Sequence, residues 1–315
     1  MVPTVYIDGE SGTTGLQIRQ RLAGRTDLRL ITIDPALRKN ARARRECLNG
    51  ADLVVLCLPD EAAREAVALI ESPATRVIDA STAHRTAPGW IYGFPELTSG
   101  QREALRVASR VANPGCWSTG FIALVRPLVD NGLVPSNWAL TVHGVSGYSG
   151  GGKAMIAEFE DAEAPNYATT PFRIYALSMG HKHIPEMERF SGLVQSPLFS
   201  PAVGRYLKGM IVEVPLPLRL LPRTPTLAHV HAALSDAYEG ERFVEVVPLQ
   251  DSLAMSTVEP EALNGSNRMR LHVFGSDSHG QARLVAVLDN LGKGASGAAV
   301  QNLNLMLALG EGTGL

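Results

Sequence analysis

Strand, glycine-spaced turn and helix follow one another at the start of this chain, and the strand–helix alternation then recurs. Thr4-Val-Tyr-Ile-Asp8 has the β-branched and aromatic content of a short strand, and Gly9-Glu-Ser-Gly12-Thr-Thr-Gly15 follows directly. Leu16–Leu22 then carries apolar residues at helical spacing. Leu28–Asp34 predicts a second strand, and the apolar run within Asp52–Leu58 suits a strand buried on both faces. Residues 60–71 have a helical pattern and Arg76–Ala80 predicts a fourth strand. Such alternation builds a parallel, doubly wound sheet, because each crossover helix packs back onto one face.

The Gly9-x-x-Gly12-x-x-Gly15 spacing adds a ligand to that fold. Small residues let the backbone approach a pyrophosphate at the helix N-terminus, where amides and the dipole favour an anion. Gly9, Ser11, Gly12, Thr13, Thr14 and Gly15 are therefore candidate cofactor contacts of a Rossmann-type domain, with a plain glycine-rich turn as the alternative. Asp34 lies close to where an acid binds the ribose 2′-hydroxyl of NAD, whereas Arg38 and Lys39 could hold the 2′-phosphate of NADP. The residues alone leave that choice open. Pro59 and Ser81 join the candidate cofactor set. Arg85 stands just past the fourth strand, near the carboxyl ends where ligands bind, and could hold a phosphate bidentately.

Val111-Ala-Asn-Pro-Gly-Cys116-Trp-Ser-Thr-Gly-Phe121 predicts a Pro-Gly turn and then a helix to about Asn131. A thiol in the first turn meets unpaired N–H groups that stabilise a thiolate, so Cys116 could act as a nucleophile near neutral pH. A small buried thiol is the competing reading. Cys47, Cys57 and Cys116 are widely spaced and odd in number, which fits neither a disulfide framework nor a zinc pattern. Reduced thiols in the cytoplasm are the expectation, since no basic-then-apolar leader opens the chain and runs such as 51–58 and 121–129 are too short to span a bilayer. A net charge of −2 gives no electrostatic case for nucleic acid or an acidic membrane.

After Cys116 the pattern changes. Trp138–Val145 reads as a strand, and residues 145–153, with four glycines, read as a flexible loop. Residues 154–175 suggest a surface wrap, and Lys208–Pro215, Thr226–Ser235, Met269–Gly275 and Ala282–Leu288 read as strands. Strands in runs predict an α+β domain with a mainly antiparallel sheet. Asp289–Gly297 is a glycine-rich turn before a helix over Ala298–Leu309. Two His-x-His pairs occur, His181/His183 in a loop and His229/His231 in a predicted strand; neither has a third ligand nearby, so no metal site is expected. His181 is a candidate general acid/base, Gly180 giving it reach, and His183 is its competitor.

Five motifs in register then carry a resemblance. Gly-x-x-Gly-x-x-Gly, Tyr92-Gly-Phe-Pro-Glu-Leu97, Asn113-Pro-Gly-Cys116-x-x-Thr-Gly, Gly180-His-Lys-His-Ile-Pro-Glu186 and Asp289-Asn-Leu-Gly-Lys-Gly-Ala-Ser-Gly-x-Ala-Val-Gln-Asn302 occur in order. Over essentially its whole length the chain resembles the short form of N-acetyl-γ-glutamyl-phosphate reductases, within the semialdehyde dehydrogenase and glyceraldehyde-3-phosphate dehydrogenase-like superfamily. The resemblance implies NADP, reduction of an acyl phosphate to a semialdehyde in arginine biosynthesis through a Cys116 thioester, and a homo-oligomer, dimer or tetramer. It implies Asn113 as an oxyanion donor beside backbone amides, and Asn290 near the nicotinamide. Ser146, Gly147, His183 and Glu186 join Arg85 as candidate substrate contacts. The expected organisation is a cofactor domain over 1–113, a catalytic and dimerisation domain over 114–288, and a C-terminal helix over 289–315 returning to the first. Rival readings are an aspartate-semialdehyde dehydrogenase, a cysteine hydrolase and an inactive Rossmann-type binding protein.

Overall fold

The computed structural model describes residues 2–34, 36–38 and 40–315; the candidate Lys39 lies outside the described residues. The chain divides into two units, one of Met1–Pro95, Ser99–Pro114 and Ala295–Leu315, the other of Glu96–Thr98 and Gly115–Gly294.

The first unit runs β1 (Thr4–Asp8), α1 (Thr13–Leu22), β2 (Arg29–Ile31), α2 (Ala41–Gly50), β3 (Leu53–Leu56), α3 (Asp60–Ala68), β4 (Arg76–Asp79), β5 (Ile91–Tyr92), α4 (Gln101–Val107) and β6 (Arg110–Ala112). Among the described residues its strands form one sheet in the order β2-β1-β3-β4-β6-β5, every join parallel. The order reverses between β1 and β3, the switch point where such sheets bind ligands at their carboxyl ends. Leu53, Val54, Val55 and Leu56 are all fully buried, as the continuous apolar run requires.

The second unit runs α5 (Cys116–Asp130), β7 (Thr141–Gly147), α6 (Gly152–Glu160), β8 (Phe172–Ile174), α7 (Ile184–Ser191), β9 (Leu198–Gly204), β10 (Met210–Leu216), α8 (Leu227–Ala237), β11 (Val244–Val246), α9 (Leu249–Ala254), β12 (Met269–Ser276) and β13 (Gln281–Leu288). Its sheet has the order β11-β12-β13-β10-β7-β9-β8. The β12·β13, β13·β10, β10·β7 and β9·β8 joins are antiparallel, and β11·β12 and β7·β9 are parallel. The last helix, α10 (Gly297–Met306), belongs to the first unit, where Val300 and Leu303 share a core with Val5, Ile7 and Leu53.

Three expectations are corrected. The segment 226–235 is not a strand but the start of α8, so His229 and His231 are helical. Small residues let the sequence satisfy either period; the cap decides. Thr226 Oγ1 accepts from His229 N at 3.3 Å while His229 Nδ1 accepts from Thr226 N at 3.2 Å, and Leu227, Val230 and Leu234 bury one helical face. His231 donates from Nε2 to Val247 O at 3.0 Å, a structural use. Residues 145–153 are ordered: 145–147 complete β7, 148–151 form a 3₁₀ turn and α6 begins at Gly152. The amides of Gly147, Tyr148 and Ser149 donate to Gly209, Tyr206 and Leu207 carbonyls at 2.9–3.0 Å, which removes the freedom the glycines suggested. Much of the expected wrap at 154–175 is likewise α6 and β8.

Candidate active site

In the second unit α5 begins at the predicted cysteine. Gly115 takes the N-cap position in extended geometry without a side-chain cap, and Thr119 N donates to Gly115 O at 2.9 Å to close the first turn. Cys116 therefore sits, half-buried, in a first turn whose N-cap residue brings no side chain to its amides. Glu186 of α7 is 1% exposed and accepts from Gly115 N at 3.1 Å, fixing the residue before the thiol. Ser118 Oγ donates to His183 O at 3.4 Å, tying the histidine loop to the same helix.

Cys116, Ser146, Gly147, His181 and His183 line one cavity of about 250 Å³, which brings five candidates together from three segments of the chain. Its size suits one small metabolite. His183 N donates to His181 Nδ1 at 3.1 Å, so the neutral His181 ring carries its proton on Nε2. His183 is the N-cap residue of α7 and is buried. Tyr175 also lines the cavity; Trp117 Nε1 donates to its Oη at 3.0 Å. Burial, then the neighbouring Cys116, pushes the Tyr175 phenol far above its ordinary range, so it stays protonated. The other thiols suit a nucleophile poorly: burial and then the Asp79 and Asp8 charges push Cys57 up to about 12, and burial raises Cys47. A larger cavity of about 530 Å³ lies elsewhere in this unit, lined by Ile211, Glu213, Phe274 and Arg283 among others. Neither a cysteine nor a histidine lines it among the described residues.

Glu186 does not line the cavity among the described residues; its carboxylate braces the Cys116 turn from behind. Asn290 is buried too, with Oδ1 accepting from Gly209 N at 2.8 Å and Nδ2 donating to Ser149 Oγ at 3.0 Å.

In the first unit Gly9 has φ +88°, and a Cβ there would fall 2.3 Å from Cys57 O; one at Gly15 would fall 2.5 Å from Gly9 O. The turn therefore folds only as glycine, close against β3 and α1. Gly12 caps α1 without a side-chain bond, and Thr13, Thr14 and Gly15 form its first turn. Exposed Ser11 leads into it. This is a backbone cradle for an anion, and the residues fit a dinucleotide pyrophosphate. Arg38 lies exposed in the turn before α2. Asp34 Oδ1 accepts from Ala36 N at 2.8 Å, which uses that oxygen to hold the turn. Pro59 is the N-cap residue of α3, and Ser81 bonds Asp79 through both its amide and hydroxyl, at 2.9 and 2.8 Å. Arg85 is buried and donates from Nε to Asn113 O at 3.1 Å. Asn113 donates from Nδ2 to Ala295 O at 3.0 Å and accepts at Oδ1 from Asn302 at 3.2 Å.

Residues 32–107 match the semialdehyde dehydrogenase NAD binding domain and residues 116–290 the semialdehyde dehydrogenase dimerisation domain. N-acetyl-gamma-glutamyl-phosphate reductases of Brucella ovis and of Brucella suis are each 55% identical over 308 residues, spanning 98% of this chain and 99% of the relative. The chain belongs to the N-acetyl-gamma-glutamyl-phosphate reductase family. Aspartate semialdehyde dehydrogenase II of Vibrio cholerae, solved with ASA, has the same fold, with a TM-score of 0.73 at 16% identity over 98% of this chain and 99% of that one. The Candida albicans aspartate semialdehyde dehydrogenase, solved with NADP, gives 0.69 at 12% identity over 97% and 98%. At these identities the likeness shows the fold alone. Among the described residues no helix is long and apolar enough to cross a membrane.

Sequence reasoning missed Tyr175, which no motif marks. Its only signal is a lone aromatic ahead of the Gly180–Glu186 motif, in a stretch that reads as surface wrap.

Proposed function

We propose that this chain reduces N-acetyl-γ-glutamyl phosphate to N-acetylglutamate 5-semialdehyde and phosphate with NADPH, a step of arginine biosynthesis, through a thioester on Cys116. The observation that carries the reading is the shared cavity: the start of α5 presents Cys116 to the same space as His181. Membership of the reductase family selects the substrate.

The Cys116 thiolate attacks the γ-acyl carbon, forming the C–S bond as the C–O bond to phosphate breaks. Bound NADPH supplies the hydride chemistry that takes the thioester to the aldehyde level. The cofactor would be held through the Thr13, Thr14 and Gly15 amides at its pyrophosphate and through Arg38 and Lys39 at its 2′-phosphate, with Ser81 and Pro59 at the carboxyl ends of β4 and β3. The first-turn amides of α5 hold the charge that develops on the acyl oxygen. Asn113 gives one of its two Nδ2 hydrogens to Ala295 O, and its second would serve beside those amides. His181 Nε2 lends its proton to that oxygen and recovers it as the C–S bond breaks and Cys116 leaves as thiolate. Ser146, Gly147 and His183 border the acyl chain, and Arg85 serves the phosphate. The finer expectations complete the reading: a dimer or tetramer built on the second domain, and a cytoplasmic setting that keeps Cys116 reduced.

Cys116→Ser tests it. A serine hydroxyl is almost wholly protonated at neutral pH, so turnover should fall by roughly four orders of magnitude while NADP binding and the thermal midpoint stay near wild type. Near-normal phosphate-dependent NADP reduction with N-acetylglutamate semialdehyde in that variant would remove the covalent mechanism.

A further inference from the structure

Two motifs of the sequence, Tyr92–Leu97 and Asp289–Asn302, each contain a charged residue that the reaction leaves unused, and the fold joins them. Lys293 Nζ donates to both Glu96 oxygens at 2.8 Å, and the two side chains are 1% and 0% exposed. Nζ also stands 5.6 Å from the Phe243 ring centre, a favourable place for a cation. Removing two charges from water costs about as much as their attraction returns, so a buried pair is a weak source of net stability. Its bidentate contact instead fixes geometry. Lys293 is bound at its tip, and the turn that carries it is pinned from the other side. Asp289 O accepts from Gly292 N and Gly294 N at 3.0 Å, Asp289 Oδ1 accepts from Leu291 N at 2.8 Å, and Oδ2 accepts from Gly265 N at 2.8 Å.

The residue after Lys293 touches the nucleophile. A Cβ on Gly294 would fall 2.7 Å from Cys116 Cβ and 3.2 Å from its Cα, so the Gly294 backbone is the wall against which Cys116 rests. We infer that Lys293 and Glu96 are a positioning pair, whose contact holds the 289–294 turn so that Gly294 sets Cys116 against the first-turn amides of α5. The inference rests on Cys116 being the nucleophile.

The experiment replaces both charges at once, Lys293→Met with Glu96→Met, since removal of Lys293 alone leaves a buried carboxylate without its cation. An apolar pair of similar volume should fold with an ordinary thermal midpoint. The expected result is a kcat lowered about ten- to a hundredfold, an NADP Michaelis constant within about twofold of wild type, and slower iodoacetamide alkylation of Cys116 at neutral pH. A folded double variant with wild-type kcat and alkylation rate would overturn the inference. Should that variant not fold, Gly294→Ala decides, because its Cβ presses directly on Cys116: lowered kcat and alkylation support the positioning contact, and wild-type values overturn it. Wild-type enzyme not inactivated by Cys116 alkylation would instead sink the covalent reading itself, which keeps the two failures apart.

Discussion

Replacing Glu186 separates two roles that its motif allows. As a substrate contact it would act through its charge; as a brace it acts through an oxygen that receives Gly115 N. Glu186→Gln keeps an acceptor oxygen and the side-chain length and gives up only the charge. The difference between a charge-assisted and a neutral hydrogen bond is about 1 kcal/mol, so the thermal midpoint should fall by roughly 2–4 °C. Glu186→Ala leaves Gly115 N–H buried without that acceptor and opens a small void, at a combined cost of about 2–4 kcal/mol, or roughly 5–10 °C. Gly115 directly precedes Cys116, so loss of the brace lets the thiol drift, and a shift near 1 Å can lower kcat by about a hundredfold. The assay is steady-state kinetics of both variants beside thermal melts. The brace predicts that Gln stays within about threefold of wild-type kcat, that Ala falls about ten- to a hundredfold, and that neither moves the acyl-phosphate KM much. A Gln variant with an unchanged melt and a KM raised tenfold or more would refute the reasoning and make Glu186 a substrate ligand.

Three further outcomes are expected. Arg38→Ala combined with Lys39→Ala should raise the NADP Michaelis constant tens-fold and shift preference toward NAD, since each charge-assisted phosphate contact is worth about 1.5–3 kcal/mol; an unchanged constant would put the 2′-phosphate elsewhere. His181→Asn should lower turnover by about two to four orders of magnitude, whereas His183→Asn, at a ring buried at the α7 N-cap beside the acyl chain, should act on stability and the acyl-phosphate KM more than on turnover; the reverse pattern would exchange the two assignments. Burial, then Arg270, holds the His272 imidazole below its ordinary 6.5, with Glu245 opposing. The unfolded chain then binds more protons below that value, so stability present above it is lost as pH falls toward the folded value. Urea midpoints for His272→Gln should fall less than wild type over that window, and parallel curves would show that His272 does not contribute.

Much of the architecture was legible because its signals are local. The strand, Gly9–Gly15 turn and α1 are written in consecutive residues, and the helix beginning at Cys116 follows from its Pro-Gly entry. The continuous apolar run around β3 needs no partner to be recognised, because burial on both faces leaves no polar position. Strands β12 and β13 announced themselves by composition and alternation. Where two periods fit equally, as over 226–237, the sequence was ambiguous until a cap and a packed face chose the helix. Glycine content likewise misled over 145–153, because conformational freedom in the chain says nothing about the carbonyls that later bind its amides.

The site itself was legible only in its parts. Cys116 and His181 could be nominated from residue type and neighbours, but their shared cavity depends on how α5, β7 and the 175–183 segment pack. Glu186 receives an amide 71 positions away, and Lys293 meets a carboxylate 197 positions away. No window of a helical turn or a strand contains both members of such a pair. Sequence by itself nominated the segments for the cofactor turn, the thiol and the proton carrier. Tertiary structure decided which buried charges hold them, because a buried charge is placed by its partner and the partner is chosen by the fold.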